Sequence, residues 1–236
     1  MRSRVPAVLL AGILGLAATG CGSAPPEIDP TGIDELVIPT PDPAAADFVA
    51  EVDNPLLPLP PGETRRYRDD AGDRVLRVKV LTEVREVAGV ATTVVRSVEG
   101  RGAARRTSER SYAQDRDGNV WLFAVTDPAE GSWQAGVAGA EAGLAMPAEP
   151  RVGDGWARAV VPGAGDEYVT VLEVDDTRST PYADYDGVVV LEESSPDQPT
   201  VTRAAYAPGA GLVERDGSGG TWTLVAQDRP GDSRSG

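Results

Sequence analysis

The sequence predicts an all-β fold: antiparallel sheet built from two similar halves, about ten strands in all, arranged as a clam, a sandwich or a curled half-barrel. Three observations carry this. Apolar residues alternate along "RVLRVKVLTEVREV" (74–87), where Val78 and Val80 hold a period of two and Val84 resumes it after a slip. Turn-forming clusters recur at short intervals: "DDAGD", "RDGN", "PGAGD", "DYDG", "PGAG" and "GSGG". No stretch holds a helical period. The best candidate, "AGVAGAEAGLAM" (135–146), is interrupted by glycines and reads as a loop or at most one helical turn.

The halves align with each other. "PLPPGETRRYR", "VLRVKVLTEVREVAGVATTVVRSVE" and "TSERSYAQDRDGNVWL" run parallel to "AEPRVGDGWARA", "EYVTVLEVDDTRSTPYADYDGVVVLEES" and "TVTRAAYAPGAGLVER". Gly62 matches Gly153, Gly89-Val90 matches Gly187-Val188, and Tyr112 matches Tyr206, at offsets of 91, 98 and 94. Pseudo-repeats over about 54–128 and 147–216 follow, each an entry turn, a strand, a long strand pair and a closing hairpin.

The chain opens "MRSRVPAVLLAGILGLAATGCGS". Arg2 and Arg4 precede an apolar run over 5–18 that is short for a transmembrane helix, so residues 1–20 read as a secretory signal peptide. "AATGC" resembles the lipobox of bacterial lipoproteins, although Ala18 stands where leucine is commoner and Leu16 lies two positions earlier. That resemblance implies cleavage before Cys21 and acylation of its sulfur, with palmitate-type chains anchoring the protein to the outer side of the cell membrane. Residues 21–52, proline-rich and aperiodic, then form a flexible tether. A single β domain is expected over 53–228, and 229–236 read as a disordered tail. Cys21 is the one cysteine, so the exported domain has no internal disulfide and depends on its core.

Histidine is absent, which removes Ser-His-Asp and Cys-His catalysis and most zinc sites. A metal would need oxygen ligands only, which points to calcium, magnesium or manganese. The formal net charge is −15, becoming −17 once Arg2 and Arg4 leave. That balance argues against nucleic acid as a partner and leaves membrane contact to the lipid.

"YAQDRDGNVW" (112–121) carries the densest chemistry. Counted from Asp115, an EF-hand would need glycine at the sixth position and glutamate at the twelfth, where Val120 and Thr126 stand. Asp117-Gly118 between alternating strands instead predicts a type I′ hairpin. That register sets Asp115 against Val120, Gln114 against Trp121 and Tyr112 against Phe123, with Tyr112, Trp121 and Phe123 clustered on one face. "DDAGD" (69–73) reads as a solvated hairpin tip. Asp175-Asp176 and Glu192-Glu193 point to opposite faces of a strand and cannot act as couples; Asp184 and Asp186 share a face with Tyr182. "GSWQAGVAGAEAGLAMP" (131–147) reads as the crossover between the halves, or as a flap over a groove. Lys79, the one lysine, follows no Ser-x-x-Lys, and no Gly-x-Ser-x-Gly elbow occurs.

No catalytic, metal-binding or cofactor-binding residue is therefore assigned. An open concave sheet would be lined by Tyr112, Trp121, Phe123, Trp133 and Trp156. "YAQDRDGNVWLFA", "GSWQAGVAGAEAGLAMPAEPRVGD" and "YAPGAGLVE" resemble a group of uncharacterised exported proteins, often lipoproteins, of actinobacteria and related bacteria. The resemblance covers about 54–225 and implies a shared fold without an activity. The expected architecture is also similar to half-barrel carriers of the LolA kind, which implies an acyl chain held in the concavity. The expectation is a non-catalytic cell-envelope lipoprotein that binds an apolar or amphiphilic ligand. The alternatives are a structural subunit of an envelope complex, whose partner would be an envelope protein, and a carboxylate-dependent enzyme acting on polysaccharide.

Overall fold

The computed structural model describes residues 45–100, 105–129, 131–163, 167–195 and 198–231. The signal peptide, Cys21, most of the tether and the end of the tail lie outside the described residues.

A 3-10 turn (Ala45–Asp47) leads into β1 (Phe48–Val49), β2 (Thr64–Asp69), β3 (Val75–Val87), β4 (Val90–Glu99), β5 (Arg106–Asp115), β6 (Val120–Asp127), β7 (Gly131–Gln134) and β8 (Gly143–Met146). Then come β9 (Gly155–Ala159), β10 (Glu167–Ser179), β11 (Asp184–Ser195), β12 (Gln198–Ala207), β13 (Gly211–Gly217) and β14 (Gly220–Asp228). All belong to one antiparallel sheet of 14 strands, ordered β7-β6-β5-β4-β3-β2-β14-β13-β12-β11-β10-β9, with β1 on β5 and β8 on β6. The fold is all-β as expected, with more strands than ten. The excess is in β14, beyond the second repeat, and in β1, β7 and β8, which run two to four residues. Segments that short carry too little alternation to be told from loops. β8 thus corrects the reading of 135–146 as loop or helical turn.

The sheet is two six-stranded meanders joined through β2 and β14. β2 to β7 in one half correspond in order to β9 to β14 in the other. The long strands β3 and β10 both span 13 residues, and β5 and β12 both span 10. The entry turns agree bond for bond. Gly62 N donates to Val80 O at 3.0 Å and Val80 N to Glu63 O at 2.9 Å; Gly153 N donates to Val171 O at 3.0 Å and Val171 N to Asp154 O at 2.9 Å. Both glycines have φ near +90° (89° and 92°), where a side chain would be strained. The closing hairpins agree as well: Tyr112 opposes Leu122 and Tyr206 opposes Leu212, each beside a register shift. One match fails. Gly89 lies in the two-residue turn between Val87 and Val90, whereas Gly187 lies inside β11, because the second hairpin turns earlier, between Ser179 and Asp184.

β7 and β8 are two pieces of one edge strand. Residues 131–134 pair with Asp127 back to Ala124, and 143–146 continue along Leu122 to Val120. The eight residues between them leave the ladder and return. β8 then meets β9, at the far end of the sheet. Glu141 N donates to Val160 O at 2.9 Å, an isolated bridge, and a Cβ at Gly143 would lie 1.9 Å from Arg158 O. Only glycine permits that approach. The sheet thus curls until its ends touch, closed by a full ladder at β2/β14 and by one bridge at β8/β9.

Two apolar clusters fill the interior. The larger gathers Val80, Trp121, Phe123, Leu144, Met146, Trp156, Val171 and Leu191. The smaller packs Tyr67, Val213, Trp222 and Leu224 against Val188 and Val190. β11 serves both, giving Val189 and Leu191 to one and Val188 and Val190 to the other. A strand covered on both faces needs an unbroken apolar run, which is the physical reason for "VVVL" at 188–191.

A buried charge cluster locks the β2/β14 seam. Glu63 is fully buried and ion-pairs with Arg65, itself 4% exposed. Glu63 Oε2 accepts from Gln227 Nε2 at 3.0 Å and from Arg229 Nε at 2.9 Å, while Arg65 Nη2 also donates to Pro58 O at 2.7 Å. Removing one partner strands the other charge in a dry site, which costs about 3–5 kcal/mol. Glu63→Ala should lower the unfolding free energy by roughly that amount in a urea titration; a loss under about 1 kcal/mol would show that the seam does not rely on the pair.

Candidate functional site

The 112–121 hairpin is built around the Asp115 side chain. Its Oδ1 accepts from Asp117 N at 3.0 Å and Asn119 N at 2.9 Å; its Oδ2 accepts from Trp121 Nε1 at 2.7 Å and Asn119 Nδ2 at 3.1 Å. Asn119 Oδ1 in turn accepts from Ala148 N at 2.9 Å, tying the turn to the crossover. Gly118 has φ +90° while Asp117 keeps negative φ, so the turn is not type I′. Gly118 N donates to Asp115 O and Asp115 N to Asn119 O, a type I turn followed by a left-handed glycine. The register moves with it: Gln114 opposes Val120, Ala113 opposes Trp121 and Tyr112 opposes Leu122. Tyr112 therefore sits on the face opposite Trp121 and Phe123, correcting the expected three-ring cluster. The fourth bond, from the Trp121 indole, is what a turn rule cannot foresee.

Trp121 and Phe123 are fully buried, and Phe48 packs edge-on to Phe123 at 5.1 Å between ring centroids. Trp156 is buried, its Nε1 donating to Leu144 O at 2.8 Å across the weak seam. Tyr112 is half-buried, and Trp133 stands at the rim of a cleft. Among the five aromatic residues named from sequence, Trp133 borders this cleft directly.

The cleft, about 550 Å³, opens at one end of the curled sheet beside the β8/β9 seam. Its apolar lining is Leu122, Val125, Trp133, Ala159, Val161 and Val169. Interleaved with it are four arginines, Arg74, Arg110, Arg158 and Arg215, and four acids, Glu99, Asp127, Glu167 and Glu193. Arg158 Nη2 donates to Glu193 Oε1 at 2.6 Å and Arg215 Nη2 to Glu193 Oε2 at 3.2 Å. Glu193 and Arg158 are mostly covered, with side-chain exposures of 15% and 19%, while Arg215 is half exposed at 49%. Arg158 Nε is buried without a hydrogen-bond partner. Arg110, also half-buried, makes no ion pair among the described residues. Glu192, next in sequence, points to the opposite face and pairs with Arg203 at 3.3 Å. Sequence reasoning missed this cluster because its members come from β5, β9, β11 and β13, and only the curl of the sheet brings them together.

Other acidic stretches are spoken for locally. Asp69 is buried and takes Arg74 N at 2.9 Å and Arg74 Nε at 3.0 Å, so "DDAGD" is clamped rather than wholly solvated. Asp184 accepts from Ser179 Oγ at 2.6 Å across the hairpin end. Among the described residues, no group of three His, Cys, Asp or Glu side chains is placed to hold a metal.

Burial alone would raise the Glu193 carboxyl, but Arg158 and Arg215 outweigh it and hold it below the usual carboxylate range. Hydrogen bonds from Arg85 and Arg96 do the same for Glu109. Burial pushes the Tyr206 phenol up to about 12.

No known protein family matches the chain, and no curated protein matches it. Two solved structures do. One, described provisionally as an exported protein with a YmcC-like fold, from Bacteroides fragilis, is 14% identical, covering 74% of this chain and 99% of its own, at a TM-score of 0.42. The other, described provisionally as a lipoprotein of Parabacteroides distasonis, is 13% identical, covering 73% of this chain and 98% of its own, at 0.38. Likeness at this level carries no inference about this chain, and the resemblance to actinobacterial proteins rests on the quoted motifs alone.

Two outcomes follow. Asp115→Ala should cost about 2–4 kcal/mol, through orphaned donors including a buried indole N–H, while added calcium should leave the wild-type melting temperature unchanged. A calcium-dependent rise would reinstate a metal loop. Glu193 and Glu109 titrate lower in the folded than in the unfolded chain, so their stabilisation is complete above the ordinary glutamate range and lost as pH falls through the depressed values. Melting temperatures should hold from neutral to about pH 5 and fall below about pH 4. A flat profile down to about pH 2 would contradict the arginine contacts.

Proposed function

We propose that this protein is a non-catalytic, extracytoplasmic binding module, tethered to the cell membrane by a lipid on Cys21, whose cleft takes an amphiphilic ligand with an anionic head. The observation that carries it is the mixed lining of the cleft, where Leu122, Val125 and Trp133 lie beside Arg110, Arg158 and Arg215, two of which hold the Glu193 carboxylate. The lining as a whole balances four arginines with four acids, but around Glu193 the half-exposed Arg215 and Arg110, which makes no ion pair among the described residues, leave donors to spare. A carboxylate or phosphate head would take those donors in water-poor surroundings, where charge-assisted hydrogen bonds are strong. The apolar part would lie against Leu122, Val125 and Trp133. The leader, the lipobox-like "AATGC" and the proline-rich tether support the location.

Native mass spectrometry of protein released gently from membranes, followed by organic extraction, should show a bound anionic amphiphile. Arg110→Gln, at a side chain outside any ion pair among the described residues, should weaken a fluorescent fatty acid roughly tenfold and leave its neutral alcohol analogue unaffected. An empty protein that binds neither probe would sink the proposal.

A further inference from the structure

The outer face of β2 and β3 is basic on an acidic protein. Side chains alternate, so Arg66 and Arg68 point outward while Arg65 and Tyr67 point in. Across the ladder Arg66 opposes Arg77, Thr64 opposes Lys79, and Lys79 opposes Arg96 on β4. Arg66, Arg68, Arg77, Lys79 and Arg96 are all exposed. Among the described residues none of Arg66, Arg68, Arg77 and Lys79 makes an ion pair or a side-chain hydrogen bond. Acids lie at the borders, with the exposed Glu83 and Glu86 further along β3. Glu109 is shared between Arg96 at 2.8 Å and Arg85 at 2.7 Å, and Asp228 lies beside Thr64 at the far end. A shallow depression here is lined by Arg66, Arg77, Lys79 and Arg229, with Asp228 its single acid.

Like charges set directly opposite across two strands are destabilising. Here that arrangement occurs twice, Arg66 with Arg77 and Lys79 with Arg96; Glu109 neutralises Arg96, and the other three are left without an ion pair among the described residues. With 37 acidic residues against 22 basic ones, such a concentration of unpaired cations is not an average of the surface. It is the arrangement expected of a surface that meets anions.

We propose that this face docks the domain onto the phosphate-bearing headgroups of an anionic lipid bilayer. Charge complementarity selects an anionic occupant. The face is a broad sheet surface carrying long side chains, suited to a flat array of phosphates rather than to one enclosed ligand. Residues 22–47 between Cys21 and β1 give the chain enough reach to lay this face on the membrane that holds the anchor. The membrane as occupant rests on the lipid-anchor reading above, and the test separates the two.

The mature chain carrying Cys21→Ser, hence without a lipid, is sedimented with vesicles of phosphatidylcholine alone and with vesicles containing phosphatidylglycerol, at low and high salt. Binding should require the anionic lipid and disappear at high salt. Replacing Arg66, Arg77 and Lys79 together by Gln should weaken it about a hundredfold, from the typical contribution of each basic residue at an anionic surface. The same change at the exposed Arg105, Arg116 and Arg151 should leave it within about twofold. Circular dichroism checks that both variants fold. Equal binding to both vesicle types, equal loss in both variants, or binding of soluble polyphosphate without vesicle binding would overturn the proposal. Lipid labelling of the wild type at Cys21 tests the anchor separately.

Discussion

A sheet curled upon itself has two seams, and the character of this protein follows from how each is made. Every strand edge must find hydrogen-bond partners, or be kept short and shielded. At β2/β14 a full ladder forms, backed by the buried Glu63, Arg65, Gln227 and Arg229. At β8/β9 one bridge forms, with Gly143 admitting the Arg158 carbonyl and the Trp156 indole bonding to Leu144 across the gap. The halves are alike enough that the second seam had an obvious partner. β7 and β8 occupy the place in the first half that β14 occupies in the second, but the excursion of 135–142 divides them.

That interruption and the cleft belong together. Offset 91 places Arg158 where the first half has Tyr67 and Trp156 where it has Arg65. Beside the tight seam, Tyr67 is fully buried and its hydroxyl donates to Leu212 O at 2.9 Å. Beside the loose seam, Arg158 reaches Glu193 at the cleft wall with its Nε still unmatched. The same backbone position thus serves closure in one half and a polar opening in the other. A guanidinium there is tolerated because Glu193 neutralises it; without that carboxylate it would be a buried, unpaired charge.

Much of the fold was legible because the signals are local. Alternation marked β3 and its slip before Val84, which the structure shows as a register shift between Val80 and Val84. The two-half order followed from glycines and tyrosines whose roles are fixed by backbone geometry, although the Gly89 and Gly187 match shows that equal residues need not hold equal places. The hairpin type was misread at Asp117-Gly118 because the indole of Trp121 and the amide of Asn119 compete for the Asp115 carboxylate. A dipeptide rule counts only backbone preference. The cleft was not legible. Arg110, Arg158, Glu193 and Arg215 are scattered over about a hundred residues, and nothing local distinguishes them from solvated charges.

Net charge misleads for the same reason. A total of −15 describes the far field, while recognition depends on the few ångströms around a face. In a strand the period of two sorts charge by side without changing its sum. In "TRRYRD" (64–69), Arg65 goes inward to a buried glutamate and Tyr67 to the core, whereas Arg66 and Arg68 go out. One hexapeptide thereby supplies the lock of the seam and half of an exposed cationic surface. The cleft rim includes Arg74 and the β13/β14 turn at 217–220, while the basic face runs from Arg68 away from that rim toward Gly62 and Pro230. The two surfaces do not overlap. Occupancy of one leaves the other open, so a ligand could enter or leave the cleft from a domain lying on its basic side.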